Sequence, residues 1–335
     1  MATKRVGSYT VKFKTPPVIT GWASVVGKKE GEGPLADTFD FINTDTTFGE
    51  KTWEKAESAM QKDTLARALG KAGLTAKDVQ YLFCGDLLNQ CISSFFAHRD
   101  SDIPLVGLYG ACSTMAESLA MASVMIDGGF ADIAGAVTSS HFCTAERQYR
   151  FPLEYGGQRT PSAQWTVTGS GACILASAGK GPRVTHVTVG RICDYGITDA
   201  NNMGAAMAPA AYQTLGAFFS DTGTKPEEYD LIVTGDLGKI GRDIVRELFE
   251  ADGVKLPTYD DCGTMVFDAS QDVHAGGSGC GCSAAVLCGY ILGAMQKGLF
   301  KKVLFAGTGA LMSTVSSQQN ESIPGVCHLV CIEQG

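Results

Sequence analysis

The chain alternates short apolar strings with longer segments that carry apolar residues at helical spacing. The strings at 81–84 and 231–234 are four residues long, which is too short for a helix and typical of buried strands. Both run directly into Gly-Asp-Leu, a sequence that favours a turn at a strand end. Strands alternating with helices predict an α/β fold with mostly parallel sheets covered by helices.

The same pattern occurs twice. Segment 75–87 recurs 150 positions later at 225–237, and segment 112–138 recurs at a constant offset of 170 as 282–308. Random pairing would give only about two identities in the second alignment, whereas it contains Cys112/Cys282, Ser113/Ser283, Met125/Met295, Gly128/Gly298, Phe130/Phe300, Ala136/Ala306 and Thr138/Thr308. The repeat predicts two similar halves stacked as a five-layered αβαβα sandwich.

The halves are expected at 1–178 and 184–335, joined by the Gly/Pro-rich link 179–183. An insertion at about 140–165 has no counterpart in the second half. Because loops on a rigid scaffold often form ligand sites, we expect this insertion to form a pocket.

Composition narrows the function. The 335 residues carry a net charge of −8 with no dense Lys/Arg run, which argues against nucleic-acid or anionic-membrane binding. The 12 cysteines lie mostly in apolar strings and are expected to be reduced. No apolar segment follows the N-terminal residues, and glycines interrupt the uncharged stretch 273–296, so we expect neither a signal peptide nor a membrane span.

The sharpest chemical signal is Gly110-Ala111-Cys112-Ser113-Thr114. It places a thiol between an apolar strand and a helix start, where the helix N-terminus lowers a thiol pKa and offers N–H groups to an anion. The alternative is an ordinary core cysteine. The equivalent Cys280-Gly281-Cys282 lacks the spacing of zinc ligands, so no metal site is expected.

Acyl transfer from a cysteine needs a basic partner, usually His. Of five histidines, His141 is the best candidate because it follows a buried strand, and His274 is the second; a solvated loop is the alternative for His141. The insertion also concentrates guanidinium and aromatic groups, which suit a flat carboxylate ligand, or else an interface loop held by salt bridges. These groups belong to Arg147, Arg150, Arg159, Tyr149, Phe151 and Tyr155.

The layout resembles the thiolase and ketoacyl-synthase III superfamily, in which a cysteine matching Cys112 is acylated. That superfamily places a His after a second-half strand, where this chain has 231–238 without one. It places an Asn before the last long helix, where this chain has Cys280-Gly281-Cys282-Ser283. The resemblance therefore implies the fold and leaves condensation of acyl thioesters doubtful.

Further motifs resemble the stage V sporulation protein AD family of spore-forming Firmicutes. They are Gly85-Asp86-Leu87-Leu88-Asn89-Gln90, Gly110-Ala111-Cys112-Ser113-Thr114, Ser139-Ser140-His141, Thr144-Ala145-Glu146-Arg147-Gln148, Glu154-Tyr155-Gly156-Gly157-Gln158, Met207-Ala208-Pro209-Ala210-Ala211 and Gly276-Gly277-Ser278-Gly279-Cys280. The resemblance implies a protein that binds dipicolinic acid (pyridine-2,6-dicarboxylate), alone or as its calcium chelate. It also implies action with other SpoVA membrane proteins at the spore inner membrane, and related folds usually form homodimers.

The leading interpretation is thus a non-catalytic binder without a cofactor, in which Cys112 is a vestigial nucleophile position. The expected ligand-binding residues are Cys112, Ser140, His141, Thr144, Glu146, Arg147, Asp236 and Ser283. Two alternatives stay open: an acyl-CoA-dependent acyltransferase or condensing enzyme that uses Cys112, and a structural scaffold for membrane partners.

Overall fold

A computed structural model describes residues 2–149 and 159–335. The strands are β1 (Arg5–Val6), β2 (Thr10–Lys12), β3 (Val18–Val26), β4 (Phe41–Ile42), β5 (Tyr81–Gly85), β6 (Leu105–Gly107), β7 (Ile133–Ser140), β8 (Trp165–Thr166), β9 (Gly169–Ala176), β10 (Arg183–Thr188), β11 (Leu231–Thr234), β12 (Tyr259–Asp261), β13 (Gly277–Ser278), β14 (Lys302–Ala310) and β15 (Gly325–Glu333). The helices are α1 (Trp53–Ala72), α2 (Ile92–His98), α3 (Thr114–Asp127), α4 (Phe142–Tyr149), α5 (Met203–Thr222), α6 (Gly238–Ala251), α7 (Cys262–Met265), α8 (Cys280–Val286), α9 (Leu292–Gln296) and α10 (Thr314–Gln318).

The main strands form two groups of five with matching order. The order runs β12-β11-β14-β15-β10 in the second half and continues β3-β9-β7-β5-β6 in the first. In each group the strand ending near Gly-Asp-Leu, β5 or β11, is parallel to both neighbours. The pairs β14/β15, β15/β10, β10/β3, β3/β9 and β9/β7 are antiparallel, so the prediction of mostly parallel sheets is wrong. The groups meet where Arg183 pairs with Val18.

Helices cover these strands in layers, as the sequence predicted. Helix α3 contacts β5 and β7 of the first half and β14 and β15 of the second, so it lies between the two strand groups together with α8. Helix α1 covers the outer face of β3, β7 and β9, whereas α5 packs against β14 and β15 on the opposite outer side with α6 beside it. Three buried apolar clusters match these layers.

The internal repeat extends to local detail. The turn before β5 is closed by Thr75 N–H donating to Asp78, and the turn before β11 by Lys225 N–H donating to Glu228, each at 2.7 Å. These matched capping contacts fix the direction in which each parallel strand enters its sheet.

The predicted buried helix within 273–296 is present as α8 and α9, joined by a single π-helical turn at Leu287–Ile291. Within the described ranges, the helices are all too short or too polar to span a bilayer. Strand β7 ends at Ser140, so the insertion predicted at about 140–165 begins at the end of a strand.

Candidate functional site

The turn that presents Cys112 is fixed by short polar contacts. Ala111 adopts a left-handed φ of 50°, which is uncommon for a residue other than glycine. Ser113 Oγ donates to the Gly110 carbonyl at 2.6 Å, and Thr114 Oγ1 donates to the Ala111 carbonyl at 2.6 Å. The Gly110 and Ala111 carbonyls before α3 are thereby satisfied.

Cys112 lines a cavity of about 190 Å³ between the two halves. An engineered apolar cavity of about 150 Å³ is large enough to hold benzene, so this volume suits one small ring with substituents. The wall is made by the turn before α3, by α4 and α5, by strand ends and by the segment before β8. Its lining residues are Leu87, Ala111, Cys112, Ala145, Glu146, Tyr149, Ala163, Gln164, Thr166, Ala200, Asn201, Met203, Met207, Ser278, Ala310 and Met312.

Asp236 lies beside this cavity at the end of β11 and is completely buried. Its carboxylate accepts hydrogen bonds from Gly279 N at 2.8 Å, Thr308 Oγ1 at 2.9 Å and Ser278 Oγ at 3.2 Å. Burial raises the pKa of Asp236, although contacts with Cys112 and these donors oppose that rise. Asp236 therefore joins the Gly-rich turn before α8 to the thiol.

The helix start does not activate Cys112. Burial, followed by the charge of Asp236, raises the pKa of the Cys112 thiol well above its ordinary value. This contradicts the expectation of a lowered pKa, because the loss of solvent and the nearby carboxylate outweigh the helix dipole. The sulfur is held as a neutral thiol near neutral pH.

The structure assigns internal hydrogen bonds to four of the other predicted residues. Ser140 Oγ donates to the Val167 carbonyl at 2.7 Å and accepts from Gly281 N at 3.1 Å. His141 is buried, and its Nε2 contacts the Thr46 carbonyl at 2.8 Å. Thr144 Oγ1 donates to Glu57 at 2.7 Å, and Ser283 Oγ donates to the Cys280 carbonyl at 3.4 Å. None of these four residues lies in the lining of the cavity.

Arg147 also lies outside the cavity lining. Its guanidinium pairs with Glu54 and lies 5.8 Å from the ring of Trp53. Arg159 is stacked over Trp165 at 4.9 Å. The structure thus brings together Cys112, Glu146 and Asp236 from the predicted set, while the predicted Arg150, Phe151 and Tyr155 lie outside the described residues.

Sequence reasoning missed two amide side chains in the cavity wall, those of Gln164 and Asn201. Gln164 Nε2 donates to the carbonyls of Asp236 at 2.6 Å and Gly277 at 2.8 Å, which fixes the orientation of the amide. Gln164 Oε1 is buried without a hydrogen-bond partner among the described residues. A buried acceptor of this kind is costly unless something binds it, and no periodicity in the sequence singles it out.

The described lining of the cavity has no basic side chain, and backbone atoms crowd the start of α8. Among the described residues, the cavity lining contains no His, Lys or Arg. A Cβ at Gly281 would lie 2.6 Å from Ser140 N and would also clash with the Gly169 carbonyl. An asparagine therefore has no room at Gly281, where the superfamily pattern would bring one close.

Comparisons with solved structures agree with the fold described above. The chain superposes on 3-oxoacyl-[acyl-carrier-protein] synthase III from Aquifex aeolicus with a TM-score of 0.57 and 12% identity, covering 95% of this chain and 99% of that one. It superposes on the OleA E117D variant from Xanthomonas campestris with a TM-score of 0.62 and 16% identity, covering 96% and 97%. The molecule therefore has the thiolase-like fold of the ketoacyl-synthase III class.

The particular family follows from the sequence. The family model for Stage V sporulation protein AD matches residues 7–333. Stage V sporulation protein AD of Bacillus subtilis strain 168 is 42% identical over 332 residues, covering 99% of this chain and 98% of that protein. The chain belongs to the Stage V sporulation protein AD family, and it is a sporulation-stage protein with a thiolase-like fold.

Proposed function

We propose that this protein binds dipicolinic acid in the cavity beside Cys112 and serves, without catalysis, in the uptake of dipicolinate into the developing spore. The observation that carries the proposal is a cavity large enough for one small ring, in a chain of this family. The thiol that lines this cavity, that of Cys112, has a raised pKa. A flat pyridine ring suits the apolar part of the wall, which includes Met203, Met207 and Met312.

The polar part of the wall favours the calcium chelate over the bare dianion. Glu146, Asn201 and Gln164 offer carboxylate and amide oxygens, which are the ligands that Ca²⁺ prefers. Gln164 Oε1 is buried and lacks a partner among the described residues, so a bound cation or a ligand donor would satisfy it.

Absence of catalysis is supported by the state of the thiol. A neutral thiol is a poor nucleophile, and acyl transfer needs a base within hydrogen-bond reach. The described lining supplies amides but no imidazole. If the chain were an acyl-CoA-dependent enzyme, incubation with acetyl- or malonyl-CoA would add an acyl group to Cys112, which intact-protein mass spectrometry would detect.

The binding test is a calorimetric titration with dipicolinate, run once with Ca²⁺ and once with EGTA. We expect tighter binding with Ca²⁺. Ala310→Leu should abolish binding because it fills the cavity, whereas Ala217→Leu, at a similarly half-buried alanine remote from it, should preserve binding. No heat of binding in either titration, or equal binding by both variants, would refute the site.

The family resemblance also leads us to propose assembly with SpoVA membrane proteins at the spore inner membrane, and pairing of two copies. Support for pairing comes from the sheet edge at β6, where Val106, Tyr109, Phe95 and Phe96 are between 38% and 53% exposed. Exposed edges and apolar patches of this kind favour association. Phe96→Glu should convert a dimer to monomers in sedimentation experiments; a wild-type monomer would disprove pairing.

A further inference from the structure

A second cluster of chemically active side chains lies far along the chain from Cys112, where β10 pairs with β15. The imidazole of His186, the thiol of Cys331 and the carboxylate of Glu333 each place one donor atom within 4.8 Å of the other two. No sign of this cluster appears in the sequence, because His186 and Cys331 are 145 positions apart.

A β-bulge assembles the cluster. The antiparallel register pairs Val184 with Ile332 and then His186 with Cys331, so Thr185 is an extra residue on β10. Directly opposed residues share a face of the sheet, as do residues two apart on one strand. The bulge therefore puts His186 on the same face as Cys331 and Glu333; in an unbroken register it would oppose Val330.

We propose that His186, Cys331 and Glu333 bind one zinc ion that ties β15 to β10. Nitrogen, sulfur and carboxylate oxygen form a donor set that Zn²⁺ accepts. Zn–S and Zn–O bonds of about 2.3 and 2.0 Å at a tetrahedral angle hold sulfur and oxygen about 3.5 Å apart, and Cys331 Sγ lies 3.7 Å from Glu333 Oε1. A fourth position is left for water or for the hydroxyl of Thr185.

The surroundings are compatible with a divalent ion. A thiolate and a carboxylate bring two negative charges, which balance Zn²⁺. Thr185 Oγ1 lies 3.0 Å from His186 Nδ1 and 3.2 Å from Glu333 Oε1, so it can orient both ligands. Two lysines face the cluster. Lys12 of β2 pairs with His186 of β10, and Lys302 Nζ lies 3.9 Å from Glu333 Oε1. Lys302 is partly exposed on a flexible stem and can move away when the ion binds.

The exposure of the cluster is also compatible with the binding of a zinc ion. Cys331 is completely buried, whereas the Glu333 side chain is 36% exposed, so an ion can enter from the Glu333 side and the sulfur is kept from solvent.

The experiment uses the full chain, freed of any affinity tag and stripped with a chelator, without dipicolinate because that compound itself binds divalent metals. Cobalt is titrated first to detect a sulfur-to-cobalt absorption band, and zinc affinity is then measured by competition with a fluorescent chelator. We expect one ion per chain. Cys331→Ser and His186→Gln should weaken zinc binding by about 100-fold or more, beyond the roughly 10–100-fold caused by losing an outer-shell partner.

Cys327→Ser is the matched control, since Cys327 is equally buried on β15 but outside the cluster. It should leave the cobalt band and the zinc affinity unchanged. His186→Gln alters a half-buried side chain, so it keeps the test decisive if Cys331→Ser does not fold. The absence of a sulfur-to-cobalt band, or zinc binding that is unaffected by both cluster variants, would overturn the proposal.

Discussion

The thiol of Cys112, at the end of the first-half turn, interacts with the carboxyl group of Asp236 from the second half, and each shifts the pKa of the other. The two halves place Cys112 and Asp236 against one another at the edge of the cavity. A carboxylate near a thiol disfavours the thiolate. Burial and, after it, this pairing explain why the pKa of a cysteine at a helix start is raised.

The first prediction follows from this pairing. Asp236→Asn removes the charge that raises the Cys112 pKa, so alkylation of Cys112 by iodoacetamide should become faster, by about tenfold for each pKa unit recovered. Peptide mass spectrometry measures the rate at Cys112. Asp86→Asn, which changes the equivalent carboxyl group of the first half, should leave that rate unchanged; equal rates for Asp236→Asn and wild type would contradict the explanation.

A second prediction separates two neighbouring residues of α4. Glu146 lines the cavity, whereas Arg147 pairs with Glu54 outside it. In a calorimetric titration with dipicolinate and Ca²⁺, Glu146→Gln should weaken binding by about 1 kcal/mol or more, because a charged contact is lost.

Arg147→Ala is the matched control for Glu146→Gln, and the geometry predicts less than a twofold change. The sequence alone led us to expect that Arg147 contacts the ligand, which would make its loss cost about 1 kcal/mol or more. If Arg147→Ala lost that much binding free energy, Arg147 would be shown to contact the ligand.

The third prediction concerns the start of α8. Gly281→Ala should destabilise the fold by about 1–3 kcal/mol, because the added methyl group meets the backbone of Ser140 and Gly169. Gly293→Ala, in α9, meets open space and should stabilise by about 0.5–1 kcal/mol. Chemical denaturation measures both, and a Gly281→Ala variant as stable as wild type would show that the close backbone contacts do not restrict this position.

The fourth prediction is a pH dependence of stability. Burial, followed by the charge of Asp86, raises the pKa of Glu57 to about 8. The folded chain therefore holds a proton that the unfolded chain releases. The resulting stability is fully present below the ordinary pKa of glutamate and is lost as pH rises through about 8, with a slope of at most about 1.4 kcal/mol per pH unit.

Glu57→Gln should flatten this part of the stability curve and make the protein more stable than wild type above pH 8. Glu247→Gln, on the exposed face of α6, is the control and should leave the curve unchanged. Denaturant unfolding across the pH range measures the effect. Parallel curves for wild type and Glu57→Gln would disprove the assignment to Glu57.

Local patterns in the sequence predicted the layered α/β architecture, although not the antiparallel pairing of the central strands. Periodicity and the repeat of 112–138 at 282–308 gave the strands, the layers and the turn at Cys112, because each depends on neighbours within one turn or strand. The division into 1–178 and 184–335 stays a prediction. Family motifs identified the family, since those residues are read directly from the chain.

Only the tertiary structure decided the environments of the side chains. Whether Cys112 is activated depends on burial and on Asp236, which is 124 positions away. The cavity brings Gln164 of the first half and Asn201 of the second half to the helix start at Cys112. The sequence predicts His141 and Arg147 as ligand-binding residues, and only the fold shows that they contact the Thr46 carbonyl and Glu54. Burial and long-range contacts set pKa values and partners, and no local pattern encodes them.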